Sequence, residues 1–199
     1  MRVINNKQGL TLIEVIVALA VIIIGVVAGL TLTVYNLKAS TFGEQQLVSS
    51  NLARESIEVV RSMRDANWLK DEEWSKDVFA AGQTKFVTMF DEVDGSWSIV
   101  ATDAADVKSC ADCQIYLNQE NGVYSHDPSK TQTIYKRLLS VKEICWLTAE
   151  DREVVEEIGE TCASEELEQI GWELTSTVYF SLADRERETK VVDRLYNWR

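Results

Sequence analysis

Residues 7–34 read KQGLTLIEVIVALAVIIIGVVAGLTLTV, and beyond Lys7 the one charge in this run is Glu14. Residues 10–32 are long enough to cross a bilayer, which takes roughly 20 predominantly apolar residues. Arg2 and Lys7 precede the run, so the positive-inside bias keeps the short head in the cytoplasm and sends the long remainder across. A carboxylate at mid-membrane costs about 2.5–3.5 kcal/mol, so Glu14 calls for a partner or a function.

Gly9, Leu10, Thr11, Leu12, Ile13 and Glu14, followed at once by the apolar run, resemble the cleavage and methylation signature of type IV prepilins and pseudopilins. In that family a membrane-embedded aspartyl peptidase cuts after the glycine and methylates the new amino terminus, and the fifth mature residue is a glutamate. The resemblance implies that Gly9 ends the leader, that Leu10 becomes the N-methylated terminus, and that Glu14 acts in subunit assembly. Leu10 stands where the family more usually has phenylalanine, and Lys7 lies one place further from the cut than is commonest.

Three plainer readings compete. A secretory signal peptide has a short apolar core followed by a small-residue site. Ala18, Leu19 and Ala20 fit that site, yet residues 21–27 continue the apolar run beyond it. An uncleaved signal anchor accounts for the span and its orientation but not for the glycine placed before the acid. In the third, Glu14 snorkels from a helix end and has no further role.

With 199 residues the chain holds this helix and one exported domain of about 150 residues, a common size for a single core. The formal net charge is -12, and loss of a leader carrying Arg2 and Lys7 makes it -14. That balance argues against nucleic-acid binding, which wants clustered Lys and Arg. Four cysteines in an exported domain favour disulfides over thiols.

After the apolar run, Val48, Leu52, Ile57, Val59, Val60 and Met63 recur at helical spacing with Arg54, Glu55, Glu58 and Arg61 between them, which predicts an amphipathic helix. No proline interrupts residues 10–67, so one continuous helix is expected, with Gly25, Gly29 and Gly43 as its weak points. Beyond Trp68 the pattern alternates. Residues 86–93 and 96–101 flank Asp94-Gly95, a dipeptide suited to a two-residue hairpin turn, and a second hairpin joins 115–117 to 123–124 across Asn121-Gly122. Residues 135–147 predict a longer strand. Trp172, Leu174, Val178, Phe180 and Leu182 share one side of another, and a charged turn at 184–188 leads to a last strand at 191–198. The fold class is α+β: a long N-terminal helix, membrane-spanning in its first half and amphipathic in its second, packed on an antiparallel β-sheet. Pilins share that arrangement. The expected layout is a cytoplasmic leader at 1–9, a transmembrane and assembly helix at 10–34, its amphipathic continuation at 35–67, and an extracytoplasmic β-rich domain at 68–199.

No catalytic constellation emerges, and the chain is expected not to be an enzyme. His126 sits in a polar Ser-His-Asp-Pro stretch that reads as a solvated loop. Asp91, Glu92, Asp94, Asp103 and Asp106 lack the ligand spacing of a calcium loop, and Cys110-x-x-Cys113 lacks the second half of a zinc site. Neither a metal nor a cofactor is expected. Of the three possible disulfide pairings, the local one, Cys110 with Cys113 and Cys145 with Cys162, is preferred. Residues 148–170 carry nine acids against Arg152 alone and are expected to form an acidic helical flap, capped from Thr148 and pinned by the second disulfide.

The sequence thus predicts a structural subunit, a pilin or minor pseudopilin of a type IV pilus, type II secretion or DNA-uptake filament. Its partners would be the prepilin peptidase and other pilin or pseudopilin subunits, in a homo- or hetero-polymer. It would cross the cytoplasmic membrane once, N-in and C-out, before entering the filament. The alternative is a membrane-tethered extracytoplasmic binding domain that never polymerises.

Overall fold

A computed structural model describes residues 11–148, 150–155, 162, 167–182 and 185–198. Two compact units appear, residues 1–45 and 46–199, and helix α1 (Leu12–Leu69) contributes to both. Within the first unit every residue of the helix from Leu12 to Glu44 is exposed. The helix passes through Gly25, Gly29 and Gly43 without interruption, because a single glycine inside a helix costs only about 1 kcal/mol and leaves its backbone N–H and C=O free to join the ladder.

The second unit is an eight-stranded antiparallel sheet with the C-terminal part of α1 laid on one face. Its strands are β1 (Lys85–Asp91), β2 (Ser96–Ala101), β3 (Gln114–Leu117), β4 (Tyr124–Ser125), β5 (Thr131–Leu147), β6 (Arg152–Val155), β7 (Leu167–Leu182) and β8 (Arg185–Tyr196). The hub is β5. One of its edges pairs with β7 from Tyr135 to Leu147, while its other edge meets β3, then β1, then β6 in succession. β8 pairs with the far side of β7, and β2 with the far side of β1, so β8 and β2 are edge strands.

Strand β7 shows why the period-two pattern works. Trp172, Leu174, Ser176, Val178 and Phe180 are buried while Glu173, Thr175, Thr177, Tyr179 and Ser181 are only partly so. The buried set meets the helix in two groups: Trp172 and Leu174 with Ile57 and Val60, and Val178 and Phe180 with Leu52 and Ala53. Small residues on α1 permit this approach. Ser49, Ala53, Ser56 and Val60 are wholly buried, and the Ser49 hydroxyl shares a 2.7 Å hydrogen bond with Thr189 on β8. Behind the sheet, Val87, Val107, Leu138 and the Cys110–Cys113 disulfide form a third cluster.

Three local expectations are corrected. The β1–β2 hairpin closes through four residues, 92–95, because Asp91 pairs with Ser96 and its Oδ1 accepts hydrogen bonds from the amides of Val93 and Asp94. Gly95 takes φ +64° there, which is the part of the turn that the dipeptide did announce. Residues 185–188 belong to β8, since Leu182 pairs with Arg185; alternating charges suit an edge strand as well as a turn. Finally, the acidic segment does not start as a capped helix. β5 runs to Leu147, Asp151 turns the chain at φ 52°, and β6 returns along the open edge of β5 with Leu147 opposite Arg152. Backbone pairing to that edge, by a strand containing Val154 and Val155, outweighs the capping signal. The rest of the expected flap, 156–161 and 163–166, lies outside the described residues.

Candidate functional site: the N-terminal helix

Glu14 occupies the first turn of α1, where its amide donates to the Thr11 carbonyl at 3.0 Å. Free amides at a helix start favour a carboxylate nearby, so this turn is a suitable place for the run's lone acid. Gly9 and Leu10 lie outside the described residues. From Leu12 to Leu37 the helix displays apolar side chains on all sides: Leu12 is 81 % exposed, Ile24 69 % and Leu37 63 %. A helix apolar all round is stable only when lipid or other helices surround it. Threonines here and just beyond turn their hydroxyls back to the helix. The hydroxyls of Thr31, Thr33 and Thr41 donate to the carbonyls of Val27, Gly29 and Leu37, four residues back, at 2.8, 2.9 and 3.1 Å. Such bonds remove donors that hydrocarbon would otherwise leave unsatisfied.

Residues 4–30 match the family model of the prokaryotic N-terminal methylation motif. The chain carries the type IV prepilin signature. Comparison with curated proteins and with solved structures finds no match. The prepilin signature covers the region of Gly9, Leu10 and Glu14 and runs into the exposed apolar helix, which supports a pilin-like substrate of prepilin peptidase anchored in the membrane through its N-terminus.

Other candidate groups are accounted for within the second unit. Asp91 and Asp106 cap turns; the Oδ1 of Asp106 accepts from the amides of Lys108 and Ser109, each at 2.8 Å, and these bonds hold its pKa below the usual carboxylate value. Glu92 accepts from Asn118 Nδ2 at 2.7 Å, which lowers its pKa likewise. The cysteines form the disulfides Cys110–Cys113 and Cys145–Cys162. Glu143 lies beside the second and accepts from the Cys162 amide at 2.8 Å, but sulfurs bonded to each other are not thiolate ligands for a metal. Ser75, Phe79, Val141, Glu143 and Trp172 line a cleft of about 190 Å³, below the roughly 300–1,000 Å³ usual for small-molecule sites.

His126 departs from expectation. Both ring nitrogens are buried with no hydrogen-bond partner among the described residues, and burial, followed by the nearby Arg137 guanidinium, pushes its pKa down to about 3. A polar tetrapeptide signals a turn, whereas what packs over that turn is set by tertiary structure. Arg137 itself was not singled out from sequence. It is 3 % exposed on β5 and donates to Glu55 at 2.5 Å, to the Leu52 carbonyl at 3.1 Å and to the Thr88 carbonyl at 2.8 Å. The available signal was an arginine in a strand between Tyr135 and the Leu138-Leu139 pair, where a charge must be paired to be buried.

Proposed function

We propose that this chain is a structural subunit, a pilin or minor pseudopilin, that enters a type IV pilus, type II secretion or DNA-uptake filament through its N-terminal helix and displays its second unit outside the cell. The observation that carries this reading is a lone carboxylate, Glu14, in the first turn of an exposed apolar helix that bears the methylation motif. Peptidase cleavage after Gly9 creates an amine at Leu10, with a reference pKa of about 7.7–8.0, and methylation keeps its charge. Glu14 of one subunit then neutralises the Leu10 amine of a neighbour. A charge pair in a medium of low dielectric attracts far more strongly than one in water, and loss of one member strands the other at about 3–5 kcal/mol. The role is one of scaffold rather than catalyst, in the N-in, C-out orientation that Arg2 and Lys7 favour.

Mass spectrometry of the membrane-purified protein tests the first step, with a methylated Leu10 terminus expected and an intact Met1 terminus counting against it. Glu14→Ala tests the second. That variant should insert, be processed and fold, yet enter filaments poorly. Filaments containing it at wild-type level would favour the alternative, a tethered binding domain in which Glu14 merely snorkels.

A further inference from the structure

Two of the edge strands of the sheet, β8 and β2, are built differently. On β8 seven of the twelve residues are charged, the usual protection against unwanted strand pairing. On β2 the sequence is SWSIVA, with no charge, proline or glycine. The amide of Thr102 donates to the Lys85 carbonyl at 3.0 Å, which fixes the phase of the ladder. Val100, Ser98 and Ser96 therefore bond to β1, opposite Val87, Met89 and Asp91, and the backbone groups of Trp97, Ile99 and Ala101 point away from it. Among the described residues no strand but β1 pairs with β2. Trp97, Ile99 and Ala101 are half-buried and Val100 is 45 % exposed, so the edge is both rigidly backed and open.

We propose that the free edge of β2 receives an extended segment of another protein as an added strand, and that this segment is neutral along its length with Lys or Arg at the end beside the β1–β2 turn. The row of outward amides and carbonyls at two-residue spacing fits only an extended backbone. The turn supplies the charge preference: Asp91 and Asp94 stand there with no basic residue in the hairpin from 86 to 101, while the Glu92 carboxylate is taken up by Asn118 and adds nothing to it. A second copy of this chain fits poorly. Antiparallel pairing of two β2 edges centred on Ile99 sets Asp103 of one copy against the Asp94-Gly95 turn of the other, and opposed like charges are destabilising.

The test uses the full chain in detergent micelles and a synthetic peptide of alternating threonine and valine with lysines at both ends. Amide hydrogen exchange at Trp97, Ile99 and Ala101 should slow by about tenfold or more when the peptide binds, because exchange reports hydrogen bonding site by site. The same peptide N-methylated at alternate residues, or flanked by glutamates, should give no such protection. Ala101→Pro, which removes an outward amide at an edge where proline is tolerated, should weaken binding. Asp94→Lys, in the exposed turn, should reverse the preference toward the glutamate-flanked peptide without disturbing the fold. The proposal is overturned if no peptide protects these amides, if the N-methylated lysine peptide protects them as well as its parent, or if protection appears without peptide as protein concentration rises, which would assign the edge to a second copy.

Discussion

Arg137 joins three elements at one point: its guanidinium reaches Glu55 and the Leu52 carbonyl on α1 and the Thr88 carbonyl on β1, from its own place on β5. Burial pulls its pKa below the usual guanidinium value and the Glu55 carboxylate opposes this, so the charge is kept by its partners. The two ends are unequal, since the arginine side chain is 3 % exposed and that of Glu55 39 %. Arg137→Ala leaves the Leu52 and Thr88 carbonyls without their donor, while Glu55 stays within reach of water, and it should cost about 2–5 kcal/mol in urea unfolding. Glu55→Gln, which keeps a carbonyl acceptor in place, should cost clearly less; equal losses would mean that the ion pair rather than the carbonyl contacts carries the anchor. His126 gives a second prediction at this scale. Its folded pKa of about 3 lies below the ordinary 6.5, so as pH falls from 6.5 the unfolded chain takes up a proton that the folded chain refuses. Stability is therefore full above pH 6.5 and declines toward pH 3, with a slope from this group of at most about 1.4 kcal/mol per pH unit. Carboxylates with an ordinary value of 4.5, such as Glu92, join in the lower part of that range. His126→Phe, which keeps a ring and removes the titration, should flatten stability between pH 6.5 and 4.5. An unchanged slope in denaturation series at those two ends would place the histidine in contact with water.

At the scale of elements, the second disulfide ties Cys145, near the end of β5, to Cys162 at a sequence separation of 17 that takes in β6. Closing a loop of that length is worth about 3 kcal/mol on the chain-entropy account, and about half that for the three-residue separation of Cys110 and Cys113. The paired variant Cys145→Ser with Cys162→Ser should therefore lose about 3 kcal/mol, and thermal unfolding of the two double variants should rank them in that order. What was legible in the sequence divides along the same line between local and distant causes. β7 announced itself because alternation records two different environments, residue by residue, and the amphipathic stretch of α1 did so at its own period. Asn121-Gly122 marked its hairpin for a similar reason, with Gly122 at φ +75°. Residues 152–155 misled because acids and a cap signal describe a local preference, whereas the free edge of β5 that captured them is formed by residues far away in the chain. Arg137 was hidden for that reason too, as its burial depends on α1, β1 and β5 at once, and the burial of His126 beside Arg137 was hidden with it. Gly171 is a further case. A Cβ there would meet the Leu195 carbonyl oxygen at 2.5 Å, a constraint from β8 that nothing near Gly171 in sequence records.

Across the whole molecule, the burial of side chains begins only at Ser49 among the residues of α1. Residues 12–44 are exposed; from Ser49 on, the same helix supplies Leu52, Ala53, Ile57 and Val60 to the core. The helix residues buried in the second unit all come from Ser49 onward, so folding of that unit is expected not to need residues 11–40. A fragment beginning at Thr41 keeps a full helical turn ahead of Ser49 and retains the 2.8 Å hydrogen bond from Gln46 Nε2 to Thr189. It should be soluble without detergent, should form both disulfides, and should melt within about 4 °C of the full chain in micelles, the shift that about 1 kcal/mol produces in a unit of this size. The full chain without detergent should instead aggregate through its exposed helix. Melting of the fragment far below the full chain would show that the N-terminal helix stabilises the displayed unit, and assembly and folding would then be coupled. On the proposed reading, a matching melt leaves the N-terminal helix free to exchange lipid for neighbouring subunits while the sheet and its β2 edge stay folded throughout.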